Sequence, residues 1–519
     1  MTESSFAKNL KEDRFETLLN NASAARVIAR AVEGTIGPKG LDIMMVDSFG
    51  DVVVTNDGVT ILKLMDVTHP VAHMIINTAR AQQAEVGDGT TTATIIAGAL
   101  IAEGAEQILK GVPVTKVITG INMGIERACE LLNSLSYPVN TLHDQLLNNI
   151  AVIAGRGYRD LAGLIIEGAQ KLGTEMIKDK DYKFSDAVVA KEFAESKVFS
   201  GVIINRQPVN RDMPSSITDA KILVVDDALK PDEVEGQALR TDAGFQHYLK
   251  SRGLFEANLN KCIELGINVI VVDSSIDDLA EQILSQAGII VLQRVSGREI
   301  EKLCLHTGAR KIKRNVLNSS MELINTYLGE AAQVITDEKL EHTYFLNGKG
   351  KEWVTLLIGA STEEVVDERE RMAKDAAAAV QASIKGGIVP GGGAAEVWIS
   401  RHLETMARDI EGMESQGILA AKEALLKPFC CMAANAGFNP LEKLAEVNAA
   451  QKNSNSAHYS FNSENGKITD MLTEGIVDPT LVKAYAFKAA GEVATAVLRI
   501  NSVIKMRETN SNINGNILE

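Results

Sequence analysis

Several features that would fix a role at once are scarce or missing. No run of 18 or more apolar residues occurs, so no transmembrane helix is predicted. Met1 to Arg14 is polar and holds no apolar stretch of the kind a secretory signal needs, so a cytoplasmic location is expected. Cysteine is sparse: Cys129, Cys262, Cys304, Cys430 and Cys431 are scattered, odd in number and without C-x-x-C spacing. That pattern argues against a structural zinc site and fits a reducing compartment. Adjacent Cys430 and Cys431 read as packing rather than redox chemistry. Positive charge is in short supply, with 53 Lys and Arg against 68 Asp and Glu, a net charge of −15. A general nucleic-acid or membrane-surface binder would need basic patches, so neither partner is expected. No G-x-x-x-x-G-K-S/T loop is present either.

What remains is an ordinary soluble composition, 45% hydrophobic and 23% charged, in a chain of 519 residues. That length exceeds one hydrophobic core, so two to four domains are expected.

The most informative stretch is Glu85-Val86-Gly87-Asp88-Gly89-Thr90-Thr91-Thr92. Val71, Met74, Ile75 and Thr78 before it fall on one helical face. Ala93 to Leu109 after it is almost all apolar or small and predicts a buried helix. Gly87 and Gly89 allow backbone N–H groups to approach a ligand closely. A helix starting at the threonines offers unpaired N–H groups and partial positive charge to phosphate. Asp88 adds a hard oxygen ligand for Mg²⁺. The bland alternative is that Asp88 only caps the helix.

Two more glycine turns look similar. A helix over 15–34 is followed by Thr35-Ile36-Gly37-Pro38-Lys39-Gly40, a rigid turn with exposed N–H groups. A predicted hairpin, Ile43–Val46 and Val52–Thr55, leads into Asn56-Asp57-Gly58, where Asp57 alone would pass for a turn aspartate. An amphipathic helix is expected over 114–135. Arg156, between Gly155 and Gly157, could reach an anion or simply be solvated.

From Gly201 the texture changes. Val202–Ile204, Ile222–Val225, Val269–Val272 and Ile289–Leu292 are short β-branched runs, an α/β pattern and a separate domain. Residues 235–262 are long for a connection. They hold Leu239, Phe245, Tyr248, Leu249, Leu254 and Phe255, either a contact surface or packing on the domain beneath. A long helix, Glu363–Ile384, carries Asp375 and ends near Gly386-Gly387. Pro390-Gly391-Gly392-Gly393-Ala394 is a third candidate for backbone contact with a nucleotide, or a hinge. Residues 451–467 read as a loop. Ile476-Val477-Asp478-Pro479-Thr480 opens a last helix to about Lys505, with Asp478 placed to cap it or to bond a ribose hydroxyl. Residues 508–519 read as disordered. The phosphate-like turns lie near both chain ends, so the ends must fold together around the middle.

Taken in order, the Thr35–Gly40, Thr55–Gly58, Gly87–Thr92, Asp375-Ala376 and Pro390–Ala394 motifs resemble those of a chaperonin of about sixty kilodaltons, over about Ala25 to Ile504. Asp47-Ser48, Gly50-Asp51, His69-Pro70, Met213-Pro214, Ala220-Lys221-Ile222, the Pro-Gly-Gly-Gly-Ala form and Leu498-Arg499-Ile500 resemble the thermosome-like, group II branch. Asp478-Pro479-Thr480 looks like the bacterial cage-forming branch instead. That mixture resembles the bacterial group III subgroup. Arg156 stands where group II carries lysine, and arginine changes reach and geometry.

The resemblance implies a multidomain α and α/β chaperonin fold. A helical equatorial ATP-binding domain would comprise 1–139 and 392–519. A hinge-like intermediate domain would comprise 140–203 and 354–391. An α/β apical domain, 204–353, would bind clients and carry a helical protrusion near 235–262 as a built-in lid, with no separate lid co-chaperone. It implies ATP and Mg²⁺ as cofactors and non-native proteins as partners. Self-association into two stacked rings, of eight subunits each in the commonest case, follows from the same branch. In this scheme Asp88 ligates Mg²⁺, and Thr90, Thr91 and Thr92 hold phosphate oxygens. The Thr35, Ile36, Gly37, Pro38 turn and Gly58, Gly87 and Gly89 help. Asp57 and Asp375 orient the attacking water, Asp375 accepting its proton. Arg156 would sense the γ-phosphate, and Gly391, Gly392 and Asp478 line the adenosine side. Two other readings compete: a non-hydrolysing scaffold of the same fold, against which the intact Asp57, Asp88 and Asp375 argue, and a monomeric metabolic kinase, which should not form a ring.

Overall fold

The computed structural model describes residues 3–50, 52–232 and 241–504. The chain divides into two compact units, Met1–Val139 with Gly386–Glu519, and Asn140–Lys385.

The unit built from the two ends is organised on the helix Thr90–Leu109, in which Ile95, Ile96, Leu100 and Ile101 have no exposed surface. By length and composition this helix passes as a membrane span, unlike the sequence reading. Here it is instead a core helix. Glu3–Glu33, Pro70–Val86 and Val114–Ser134 pack around it from the N-terminal part, Glu414–Asn435 and Thr480–Leu498 from the C-terminal part. Apolar residues on every face of the Thr90 helix are what such enclosure requires. The predicted hairpin forms, Ile43–Val46 pairing antiparallel with Val52–Thr55 in the register Ile43↔Thr55. A second short ladder lies within the C-terminal segment: Ile388–Pro390 pairs antiparallel with Val477–Pro479, placing Val389 opposite Asp478.

Two expectations fail in this unit. Residues 451–467 are not one loop. The helix Pro440–Ser454 runs into them, and Tyr459–Phe461 pairs with Ile468–Asp470. Buried Gln451 is the cause, since its amide donates to both Ala394 O and Tyr459 O at 2.9 Å and pins the segment to the core. The last helix, Thr480–Leu498, stops short of Lys505. Residues 505–519, including the expected disordered tail, lie outside the described residues.

The middle unit carries an eight-stranded mixed sheet. Ser216–Val225, Val269–Val272 and Ile290–Leu292 are parallel neighbours at one edge. The helices Asp242–Glu264 and Asp278–Gln286 connect them. Strands covered on both faces read as continuous apolar runs, which is how these appear in the sequence. The connection expected over 235–262 is, in its described part, a single helix. Phe255, Leu259 and Cys262 fill the core against Leu223, Ile270 and Val272, whereas Phe245, Leu249 and Leu254 are exposed. Packing on the domain beneath therefore holds for the C-terminal part of the helix, while the rest leaves apolar side chains exposed. Residues 235–240, with Leu239, lie outside the described residues.

Candidate functional site

The helix Pro70–Val86 ends at Gly87, whose φ of +72° lets its N–H bond Gln83 O. Asp88 follows. Gly89, at φ +79°, is the N-cap of the Thr90 helix and has no side chain with which to cap it. Asp88 is therefore not the cap. Its Oδ1 accepts the Gly89 N–H at 2.6 Å, which turns the carboxylate over the same helix start. The first-turn N–H groups at Thr90, Thr91 and Thr92 have no intrahelical partner and carry the positive end of the dipole. Thr90 is buried, and Thr91 and Thr92 are half-buried. A Cβ on Gly89 would lie 2.6 Å from Val482 Cγ1, so only glycine lets the turn sit this close to the last helix.

Gln82 locks the turn in place, its buried amide donating to Asp88 O at 2.8 Å and Val482 O at 3.1 Å. Replacing it with leucine strands two carbonyls and should cost about 1–3 kcal/mol, read as a lower denaturation midpoint at unchanged m-value.

Asp57 caps the short helix Gly58–Leu64, accepting from Thr60 N at 3.0 Å, Thr60 Oγ1 at 2.6 Å and Val59 N at 3.3 Å. The turn reading is thus physically present. Position is what makes Asp57 more than a turn residue. A Cβ on Gly58 would meet Thr91 Oγ1 at 2.5 Å and Thr91 N at 3.1 Å, so the Asp57 turn abuts the first turn of the Thr90 helix. Beside it, Asn56 Oδ1 is buried with no partner.

The Thr35–Gly40 turn closes through Leu41 N to Gly34 O at 2.9 Å and Thr35 Oγ1 to Val32 O at 3.0 Å. Asn435 donates to Glu33 O and Ile36 O. Gly37 and Pro38 are left exposed, Gly37 at φ +85° over Met432. Gly393 (φ +77°), the N-cap of Ala394–Asp409, packs on the same Met432, so the turns from the two chain ends converge there. Gly391 N donates to Ile476 O at 2.9 Å, and Ser460 Oγ to Gly392 O at 2.7 Å.

Asp478 does not cap the last helix; Pro479 is its N-cap. Asp478 Oδ2 is instead 2.9 Å from Lys483 Nζ, and Lys483 also pairs with Glu396. Lys483 and Glu396 are both buried. Burial alone would push the lysine down, but Asp478 and Glu396 hold it above the ordinary lysine range. Neither residue was singled out from sequence. The available signal was a charge inside the buried run Val482–Phe487, which demands a partner.

Asp375 and Arg156 belong to the middle unit. Asp375 sits half-buried on the helix Glu363–Gly386. A Cβ on Gly155 would come within 3.8 Å of Ala376, so the Arg156 turn lies next to it. Arg156, at φ +54°, is ion-paired with Glu368 at 3.2 Å, so it is not simply solvated.

The end-formed unit thus gathers the Thr35–Gly37, Asp57–Gly58, Gly87–Thr92, Gly391–Gly393 and Asp478 segments. No cluster of three or more His, Cys, Asp or Glu suited to a metal occurs among the described residues. One carboxylate beside a helix start whose N-cap is a glycine still fits Mg²⁺, which takes one or two protein carboxylates and fills its shell with phosphate and water. Cavities of about 470 Å³, along Asn20–Ile28 and Met65–Ala72, and about 330 Å³, near Asn210 and Glu281, are not lined by residues of these turns.

Residues 28–508 match the TCP-1/cpn60 chaperonin family. The chain is 36% identical to a thermosome subunit of Pyrococcus abyssi, over 93% of this chain and 90% of that one. It is 35% identical to thermosome subunit beta of Archaeoglobus fulgidus, over 93% and 91% respectively. Among solved structures, a group III chaperonin in the open state superposes with a TM-score of 0.86 at 44% identity, covering 95% of this chain and all of the other. With the family matched over nearly its whole length, and the fold matched as well, the chain belongs to the TCP-1/cpn60 chaperonin family.

Proposed function

We propose that the chain is an ATP-dependent chaperonin subunit that hydrolyses ATP to ADP and phosphate to drive a protein-folding chamber. The Thr90 helix start, whose N-cap is a glycine, flanked by the Asp57–Gly58 and Gly87–Gly89 turns, carries this reading.

The N–H and hydroxyl groups of Thr90, Thr91 and Thr92 hold phosphate oxygens, and the Thr35–Pro38 turn closes over them. Asp88 would hold Mg²⁺, which when bound supplies neutralising charge at the phosphates. The cap bonds of Asp57 use three of its carboxylate's roughly four acceptor sites, so one remains to orient water. Asp375 takes the proton as the water oxygen bonds the γ-phosphorus and the bridging oxygen leaves with ADP. Because Asp375 and Arg156 come from the middle unit, hydrolysis waits on closure of that unit, which gates the reaction. The exposed half of the Asp242–Glu264 helix, with Phe245, Leu249 and Leu254, supplies apolar surface for non-native clients and for the lid.

Self-association is supported by the Ile43–Thr55 hairpin, a sheet of two strands among the described residues, with Phe49 90% exposed and Leu41, just before it, 75% exposed. A cytoplasmic location accords with five free cysteines, burial pushing Cys262 and Cys304 up to about 11.

Light scattering on the purified chain, without and with Mg-ATP, tests the assembly. A species near sixteen chain masses is expected, and eight would mean single rings. A chain that stays monomeric in both conditions counts against the chamber. Phosphate release separates this reading from a non-hydrolysing scaffold.

A further inference from the structure

The Lys483 cluster raises a question of charge. One buried ammonium meets two carboxylates, although Glu396 alone would neutralise it. Glu396 is 2% exposed and Lys483 8%, whereas the Asp478 side chain keeps 32% of its surface open. The arrangement is directional: a closed buried pair at the back, and one partly open carboxylate in front. Asp478 is also held through its main chain, opposite Val389 in the ladder that runs into the Gly391–Gly393 turn. Both its backbone and one carboxylate oxygen are therefore fixed, by two elements of the Gly386–Glu519 segment. Nothing about the stability of the Thr480–Leu498 helix calls for this, since a buried apolar residue in place of the lysine would serve packing equally.

We propose that Lys483 is a positioning residue for the sugar end of the nucleotide site: clamped by Glu396, it holds Asp478 Oδ2 and so aims the rest of that carboxylate at the ribose hydroxyls. This rests on the nucleotide reading above. An ionised carboxylate accepts hydrogen bonds and cannot donate them, so it pairs with a hydroxyl and is left short by a deoxy sugar. A carboxylate free to rotate would find water as readily as the sugar. Held in place, it discriminates, because little ordering remains to be done on binding. Glu396 matters in this scheme because it keeps the ammonium at the back of the site, away from the phosphates.

The test is calorimetric titration of the full chain with Mg²⁺ and ADP, 2′-deoxy-ADP or 3′-deoxy-ADP. Wild type should prefer ADP to at least one deoxy analogue by about tenfold or more. Lys483→Gln combined with Glu396→Gln, which neutralises the buried pair without removing its polar atoms, should bring that ratio to within about twofold. Lys483→Arg should restore most of it. A merely structural role would weaken ADP and its analogues alike and leave the ratio unchanged, so an unchanged ratio overturns the proposal. Lys483→Met combined with Glu396→Leu, an apolar replacement of the buried pair, gives the same comparison if the first double variant does not fold. Wild type binding all three equally would also overturn it, with the nucleotide reading intact. Wild type binding none would instead sink the nucleotide reading itself.

Discussion

Asp375→Ala is expected to bind ATP as tightly as the wild type and to hydrolyse it about 10²–10⁴-fold more slowly, the usual range for losing a positioned general base. Binding survives because the phosphate-facing N–H groups and Asp88 belong to the other unit. The helix survives because alanine is the best helix former, and Asp375 is already followed by buried Ala376 and Ala377. Equilibrium titration and single-turnover phosphate release, run side by side, separate the two quantities. A variant releasing phosphate at more than a tenth of the wild-type rate would remove Asp375 from the role of proton acceptor. Weak binding with normal single-turnover chemistry would place it among the binding groups instead.

The second large effect is on enclosure. Replacing residues 239–253 with a short Gly-Ser linker should leave ATP hydrolysis within about twofold, while an unfolded client that wild type shields becomes open to added protease. The cut has a physical limit at its C-terminal side. Phe255, Leu259 and Cys262 are core residues of the middle unit, and losing a buried phenylalanine alone costs about 3–5 kcal/mol. A longer deletion would confound loss of the lid with loss of the domain. Phe245 and Leu249 can go without that cost because they already face solvent. If the variant still protects client from protease, this helix is not the lid.

Much of the fold could be read because the residues carry local chemistry. The Ile43–Thr55 hairpin, the buried Thr90 helix and the β-branched strands all announce themselves by period and composition. The glycine turns could be read for the same reason, since a φ of +72° or +79° at Gly87 and Gly89 is something a sequence can advertise. What was missed depends on partners far away in the chain. The 451–467 segment looked like a loop because Asn and Ser dominate it, and Gln451 overrides that bias through carbonyls at Ala394 and Tyr459. For Asp478 the capping alternative fails, because its partner is Lys483, itself ordered by Glu396, 87 positions upstream. Asp57 lay between these cases. Its capping bonds are local and could be foreseen, whereas the approach of Gly58 to Thr91 could not.

Joining the two chain termini in one unit also sets an order of events during synthesis. The Thr90 helix needs Glu414–Asn435 and Thr480–Leu498 for its burial, so its apolar faces stay uncovered until residue 498 has left the ribosome. The first segment of the unit ends at Val139, leaving 498 − 139 = 359 residues still to be made. At 5–20 residues per second that is a delay of roughly 20–70 s. Asn140–Lys385 is continuous and can fold during that interval. A nascent chain of this protein therefore holds a finished middle behind an unfinished, sticky beginning, and for about a minute it has the same need for protection that a chaperone's own substrates have.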